Sequence, residues 1–149
     1  MNSYKVNSYK ELRNKHQKEV NALPFFFAFS NEQFNAGMAK FGLNPTDTDK
    51  IYRLSSIGGF YLRTDSDLIN GTFKRHAQEA QSAMDADVTG NGYIYDMFLF
   101  ELRNHEYGYT WRLDDTLDAL GLTMDEISNS KTLTHGLNKA IATIKKEDC

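Results

Sequence analysis

The stretch Asp85–Thr110, DADVTGNGYIYDMFLFELRNHEYGYT, constrains the fold more than any other part of the chain. An Asp/Thr/Asn/Gly turn runs directly into a segment that is apolar from Tyr93 to Leu102 apart from Asp96 and Glu101. Ile94, Phe98, Glu101 and His105 fall at i, i+4, i+7 and i+11, so the run reads as a helix over about Tyr93–Glu106 with one face directed into a core. The rest of the chain has to supply the elements that cover that face. At 149 residues and 40% hydrophobic, it is long enough to do so as a single domain (1–149) without a disulfide or metal staple.

The coverings can be read in order. Residues 1–7 read as a flexible N-terminal end. Ser8 with Glu11 has capping-box spacing, and a mostly exposed helix runs from there until Pro24 forbids it. Phe25–Phe29, wholly apolar and aromatic, reads as a buried central strand. Ser30 caps a second helix, with Gln33 in the capping-box position, a Phe34/Met38/Phe41 stripe and Gly42 placed to end it. Lys50–Leu54 and Phe60–Arg63 flank Ser-Ser-Ile-Gly-Gly, whose glycines can take the positive φ of a hairpin turn. No Gly-Lys-Ser/Thr follows, which argues against a phosphate loop.

A long helix starts at Asp65 or Ser66 and carries Ile69, Phe73, His76, Ala80 and Ala83 on one side. His76 there reads as a core or boundary histidine with one hydrogen-bond partner. After Thr110 come a helix at Asp114–Leu120, a break at Gly121, a capping-box start at Thr123 and a last helix near Leu133–Lys146. The expected class is therefore α+β: a small, mainly antiparallel sheet (strand 25–29 plus hairpin 50–63) covered by five or six helices. The late helices lack the basic and amide cluster of a DNA-reading helix.

Charge is unevenly placed. Residues 1–84 hold 11 Lys/Arg against 8 Asp/Glu, 85–126 hold 2 against 10, and 127–149 hold 4 against 2. The middle block reads as a solvated face, or as a negative surface that would repel nucleic acid and attract a basic partner protein or a cation. The one cysteine, Cys149, points to a reducing compartment, and the absence of a signal-like or roughly 18-residue apolar segment leads to an expectation of a cytoplasmic protein with no membrane contact.

Three places invite chemistry. Asp87, Thr89 and Asn91, with Gly92 and Ile94, match positions 1, 3, 5, 6 and 8 of an EF-hand calcium loop, but Phe98 stands where the bidentate Glu belongs, so a helix-entry turn is the better reading. Glu101 and His105 lie one turn apart and could give two metal ligands or an acid/base couple; the third ligand is missing locally, with His135, His76 or Asp85 the candidates to converge on it. A structural Glu–His pair is simpler, and no cofactor is expected. Tyr107-Gly108-Tyr109-Thr110-Trp111 reads as an aromatic loop capped by Gly108; its burial energy favours folding back on the core, while exposed Tyr and Trp would be partner anchors.

FFFAFSNEQFNAGMAKFGL, DKIYRLSSIGGFYLRTD, GYIYDMFLFELRNHEYGYT and LDALGLTMDEI together resemble a family of small uncharacterised proteins carried by Gram-positive bacteria, often on phages or other mobile elements. The resemblance covers about residues 8–145 and brings no activity or catalytic residue with it. Its genetic setting implies, by analogy with anti-CRISPR proteins, an inhibitor of host defence. The leading expectation is a non-enzymatic protein that binds a basic, nucleic-acid-binding partner such as a CRISPR effector through Asp85, Asp87, Asp96, Glu106, Tyr109, Trp111, Asp114, Asp115, Asp118, Asp125 and Glu126. The alternatives are a small metal-dependent enzyme using Glu101 and His105, and a nucleic-acid binder using Lys10, Arg13, Lys15 and Lys18 of the first helix.

Overall fold

The computed structural model describes residues 8–54 and 58–147, so the expectation for 1–7 and the Ser55–Ile57 part of the hairpin turn lie outside the described residues. Eight α-helices are present among them: α1 (Ser8–Asn21), α2 (Asn31–Lys40), α3 (Ser66–Ala86), α4 (Tyr93–Asn104), α5 (Tyr107–Thr110), α6 (Asp114–Leu120), α7 (Met124–Ser128) and α8 (Lys131–Glu147). Two strands, β1 (Ile51–Leu54) and β2 (Gly59–Leu62), pair antiparallel with Ile51 opposite Leu62 and Leu54 opposite Gly59. The broad α+β expectation holds, with more helix and less sheet than the sequence suggested. The chain groups into two compact units, one of residues 8–16 and 78–147 and the other Gln17–Ala77, and α1 and α3 contribute residues to both. No helix among the described residues is long and apolar enough to cross a membrane.

In the Gln17–Ala77 unit, the expected strand at 25–29 is corrected to one antiparallel bridge, Phe26 to Phe60, with N–H···O distances of 3.0 and 2.8 Å. Pro24 and the Ser30 cap leave residues 25–29 as part of the link between α1 and α2, and of these only Phe26 is buried. Its ring stacks on Phe60 at 5.2 Å and meets Phe41 at 5.3 Å, whereas Phe29 is 91% exposed. Gly37 permits this seat, because a Cβ there would lie 2.1 Å from the Phe26 ring. The Ser30 hydroxyl accepts from the Gln33 N–H, and α2 ends in a Schellman motif: Gly42 at φ 74° donates to Ala39, and Leu43 to Met38. Gly58 takes the positive φ the hairpin needs, while Gly59 is a strand residue whose missing side chain leaves room for the Phe25 and Phe27 rings. Glu19 accepts from His76 at 2.6 Å and Arg75 at 2.8 Å, and these bonds hold its carboxyl down at about 2. His76 is thus the boundary histidine its place on the stripe suggested.

The other unit is built around α4. Tyr93, Ile94, Met97, Phe98, Glu101 and Leu102 are its buried residues, a stripe wide enough to be covered on more than one side. Leu137, Ala140 and Ile144 of α8 pack against it, joined by Tyr107, Leu117 and Ile127. The approach of α8 is close: a Cβ on Gly136 would sit 2.5 Å from Ile94 Cγ2 and 2.9 Å from the Gly90 carbonyl. Gly121, in the left-handed region, ends α6 with Leu122 donating to Leu117, and Thr123 and Glu126 form the full capping box of α7.

Candidate functional site

The turn before α4 is organised by Asp87. Its Oδ1 accepts from the Gly90 N–H at 3.1 Å and the Thr89 hydroxyl at 3.3 Å. Its Oδ2 accepts from the Gly92 N–H at 3.0 Å and the Ile94 N–H at 2.9 Å, so the carboxylate satisfies an amide of the first turn of α4 across the loop. Asn91, at the fifth position of the calcium-like pattern, bonds His135 on α8 at 2.7 Å instead. The oxygens that a cation would need are occupied by donors, and Phe98 is fully buried, so this is a helix-entry turn. Asp96 is half-buried; its carboxyl is raised by burial first and by neighbouring Asp87, against a lowering by Lys139.

Glu101 is the centre of a polar knot. It is 3% exposed, and its Oε2 accepts from the Tyr9 hydroxyl of α1 and lies 3.4 Å from Arg13 Nε. Oε1 accepts from Asn104 Nδ2 at 3.4 Å and faces His105 Nε2 at 3.5 Å. Burial pushes the Tyr9 hydroxyl well above its usual value, and the bond to Glu101 adds to the rise; burial also pushes neighbouring Tyr93 up to about 12. The Arg13 guanidinium lies 5.1 Å from the centre of the Phe100 ring.

The expected Glu101–His105 pair therefore exists, but the carboxylate is held more firmly by α1 than by its own helix. None of the three candidate third ligands joins it: His135 bonds Asn91, His76 bonds Glu19, and Asp85 accepts from Gln81. Among the described residues no three His, Cys, Asp or Glu side chains are grouped to hold a metal ion. The arrangement ties α1 to α4. Arg13 also belongs to it, which removes one of the four cations from the basic face of α1; Lys10, Lys15 and Lys18 remain at exposed positions.

A structural role predicts that Glu101→Ala lowers unfolding free energy by about 1–3 kcal/mol, because Tyr9 and Arg13 lose a charged acceptor. His105→Ala is expected to cost under about 1 kcal/mol, as a partly exposed and longer contact. Thermal denaturation of the two single variants and the double variant checks this. An unchanged melting point together with lost function would instead make the pair a working site.

The acidic and aromatic candidates all fall in the unit built around α4. Asp114, Asp115 and Asp118 on α6, Asp125 and Glu126 on α7, and Asp85 and Glu106 are exposed, whereas Asp87 and Asp96 are half-buried. Asp114 pairs with Arg112 at 3.2 Å, a contact too open to water to neutralise the face. Tyr107 turns into the core, but Tyr109 is 88% and Trp111 47% exposed, so the aromatic segment divides rather than folding back as a whole. Trp111 meets Tyr107 edge-on at 5.2 Å. The expected cap at Gly108 is corrected: Gly108 lies inside α5, and the left-handed residues are Glu106 and Trp111, both at φ 56°. Burial of Tyr107 requires the chain to turn before Gly108 is reached, and a non-glycine residue takes the strain.

Asp85, Asp87 and Glu126, far apart in sequence, are brought to the edge of one groove. Neither that convergence nor the pairing of Tyr9 with Glu101 is signalled by local sequence spacing.

No curated protein and no solved structure matches the chain. A family model does match, over residues 8–143, and the chain accordingly belongs to DUF7659, a family of unknown function.

Proposed function

We propose that this chain is a non-enzymatic interaction protein whose acidic segment 85–126 occupies the nucleic-acid-binding surface of a basic partner in the cytoplasm, as an anti-CRISPR-like inhibitor of host defence would. The observation that carries this reading is the disposition of the ten carboxylates in that segment, of which only Glu101 is buried. The buried one is consumed by Tyr9 and Arg13; those on α6 face water. Two exposed aromatics, Tyr109 and Trp111, stand a few residues before α6 and supply the amphipathic contact area typical of binding hot spots. Charge gives such an interface its rate and selectivity, and the aromatics give it persistence.

Affinity purification from the native host tests this. The captured protein is expected to be basic, to release as ionic strength rises past the range where exposed charges are screened, and to lose nucleic acid in competition with this chain. Capture that resists salt, or a partner that binds nucleic acid and this chain together, contradicts the proposal.

A further inference from the structure

We infer that the groove between the end of α3, the 87–92 turn and the α7–α8 junction seats an arginine side chain of the basic partner; the inference rests on the proposed function and names one point of contact within it. The groove has a volume of about 520 Å³. Met84, Leu122 and Leu133 give it apolar walls, and Asp85 and Glu126 stand among its lining residues. No lysine or arginine is among its lining residues, while three carboxylates are.

The chemistry selects the occupant. Asp87 also lines the groove, yet both its oxygens are committed to the turn, so it contributes negative potential without a readily available acceptor. Asp85 accepts from Gln81 through Oδ1, and Glu126 accepts from Thr123 through Oε1, which leaves the second oxygen of each for a visiting donor. Apolar walls beside two separate acceptors suit a long aliphatic stem ending in a forked donor, which is arginine. Lysine has the stem but offers a compact, strongly hydrated charge. Val88, 81% exposed, adds an apolar contact at the lip for the residue beside that arginine.

The test uses the full chain, isotope-labelled, titrated with the blocked peptide acetyl-Gly-Arg-Gly-amide and with its lysine and citrulline counterparts, followed by amide chemical shifts. The arginine peptide is expected to shift Asp85, Val88 and Leu133, the lysine peptide to do so more weakly, and the citrulline peptide not at all. Asp85→Lys and Val88→Lys, both at exposed positions, should each weaken arginine binding at least tenfold with the melting point unchanged. Replacing Asp114, Asp115 and Asp118 by lysine should leave it within about threefold, the residue of a longer-range and screened field. Equal binding of citrulline, shifts confined to α6, or no shifts at all would overturn the inference. Shifts confined to α6 would do so while leaving the acidic binding face intact. Groove shifts without a nucleic-acid-binding partner in the purification would support the groove and defeat the wider reading.

Discussion

Phe98→Ala is expected to lower the unfolding free energy by about 3–5 kcal/mol, a large fraction of the 5–15 kcal/mol typical of a domain. Phe98 is 0% exposed and sits at the middle of α4, whose buried face packs against α5, α6 and α8 in a core cluster that also takes in Ile127 of α7. Removing the ring takes away its transfer energy and leaves a void that these elements cannot close together, because α8 is already held at contact by Gly136 against Ile94 and Gly90. Urea denaturation followed by circular dichroism measures the effect. A cost below about 1 kcal/mol would mean that α4 is not the centre of its unit.

α4 was legible from its sequence because a long apolar run between a turn and a glycine admits few alternatives. The α2 and α7 ends are legible for a related reason: Ser30, Thr123 and Glu126 accept from backbone N–H groups and Gly42 donates to a carbonyl, all within three residues, so spacing alone carries the information. Phe25–Phe29 misleads because an unbroken apolar run contains no alternation to show which side chains point inward, and only Phe26 of the five pairs, with Phe60, whereas the four-residue β1 and β2 pair along their whole length. Glu101 illustrates the opposite limit. Its i, i+4 relation to His105 is visible in the sequence, but the hydroxyl that holds it comes from Tyr9, 92 positions away, and nothing local announces that bond. The groove formed by Asp85, Asp87 and Glu126 is hidden in the same way.

The second large effect is expected at the binding face. Changing Asp114, Asp115 and Asp118 to lysine alters the charge of α6 by six units, replacing three attractions to a basic surface by three repulsions. At about 1 kcal/mol for each contact in high dielectric, the three lost attractions and the three new repulsions together cost about 6 kcal/mol, or roughly 10,000-fold in affinity at low ionic strength. Asp114 and Asp115 also lie in the first turn of α6, where negative charge suits the helix dipole, so the variant should lose some stability as well. Replacement of the same three by asparagine separates the effects: affinity should fall to an intermediate value with little change in the fold. Tyr109→Ala and Trp111→Ala, at unchanged charge, should weaken binding without altering its salt dependence.

The most direct measurement is the affinity for the captured partner across a series of salt concentrations, made in parallel on the wild-type chain and on the Asp114→Lys, Asp115→Lys, Asp118→Lys variant. The acidic-face account predicts wild-type binding that weakens steeply with salt, and a variant that binds weakly at low salt with a much flatter or reversed dependence. Two curves that coincide, or a wild-type affinity that does not change with salt, would contradict it.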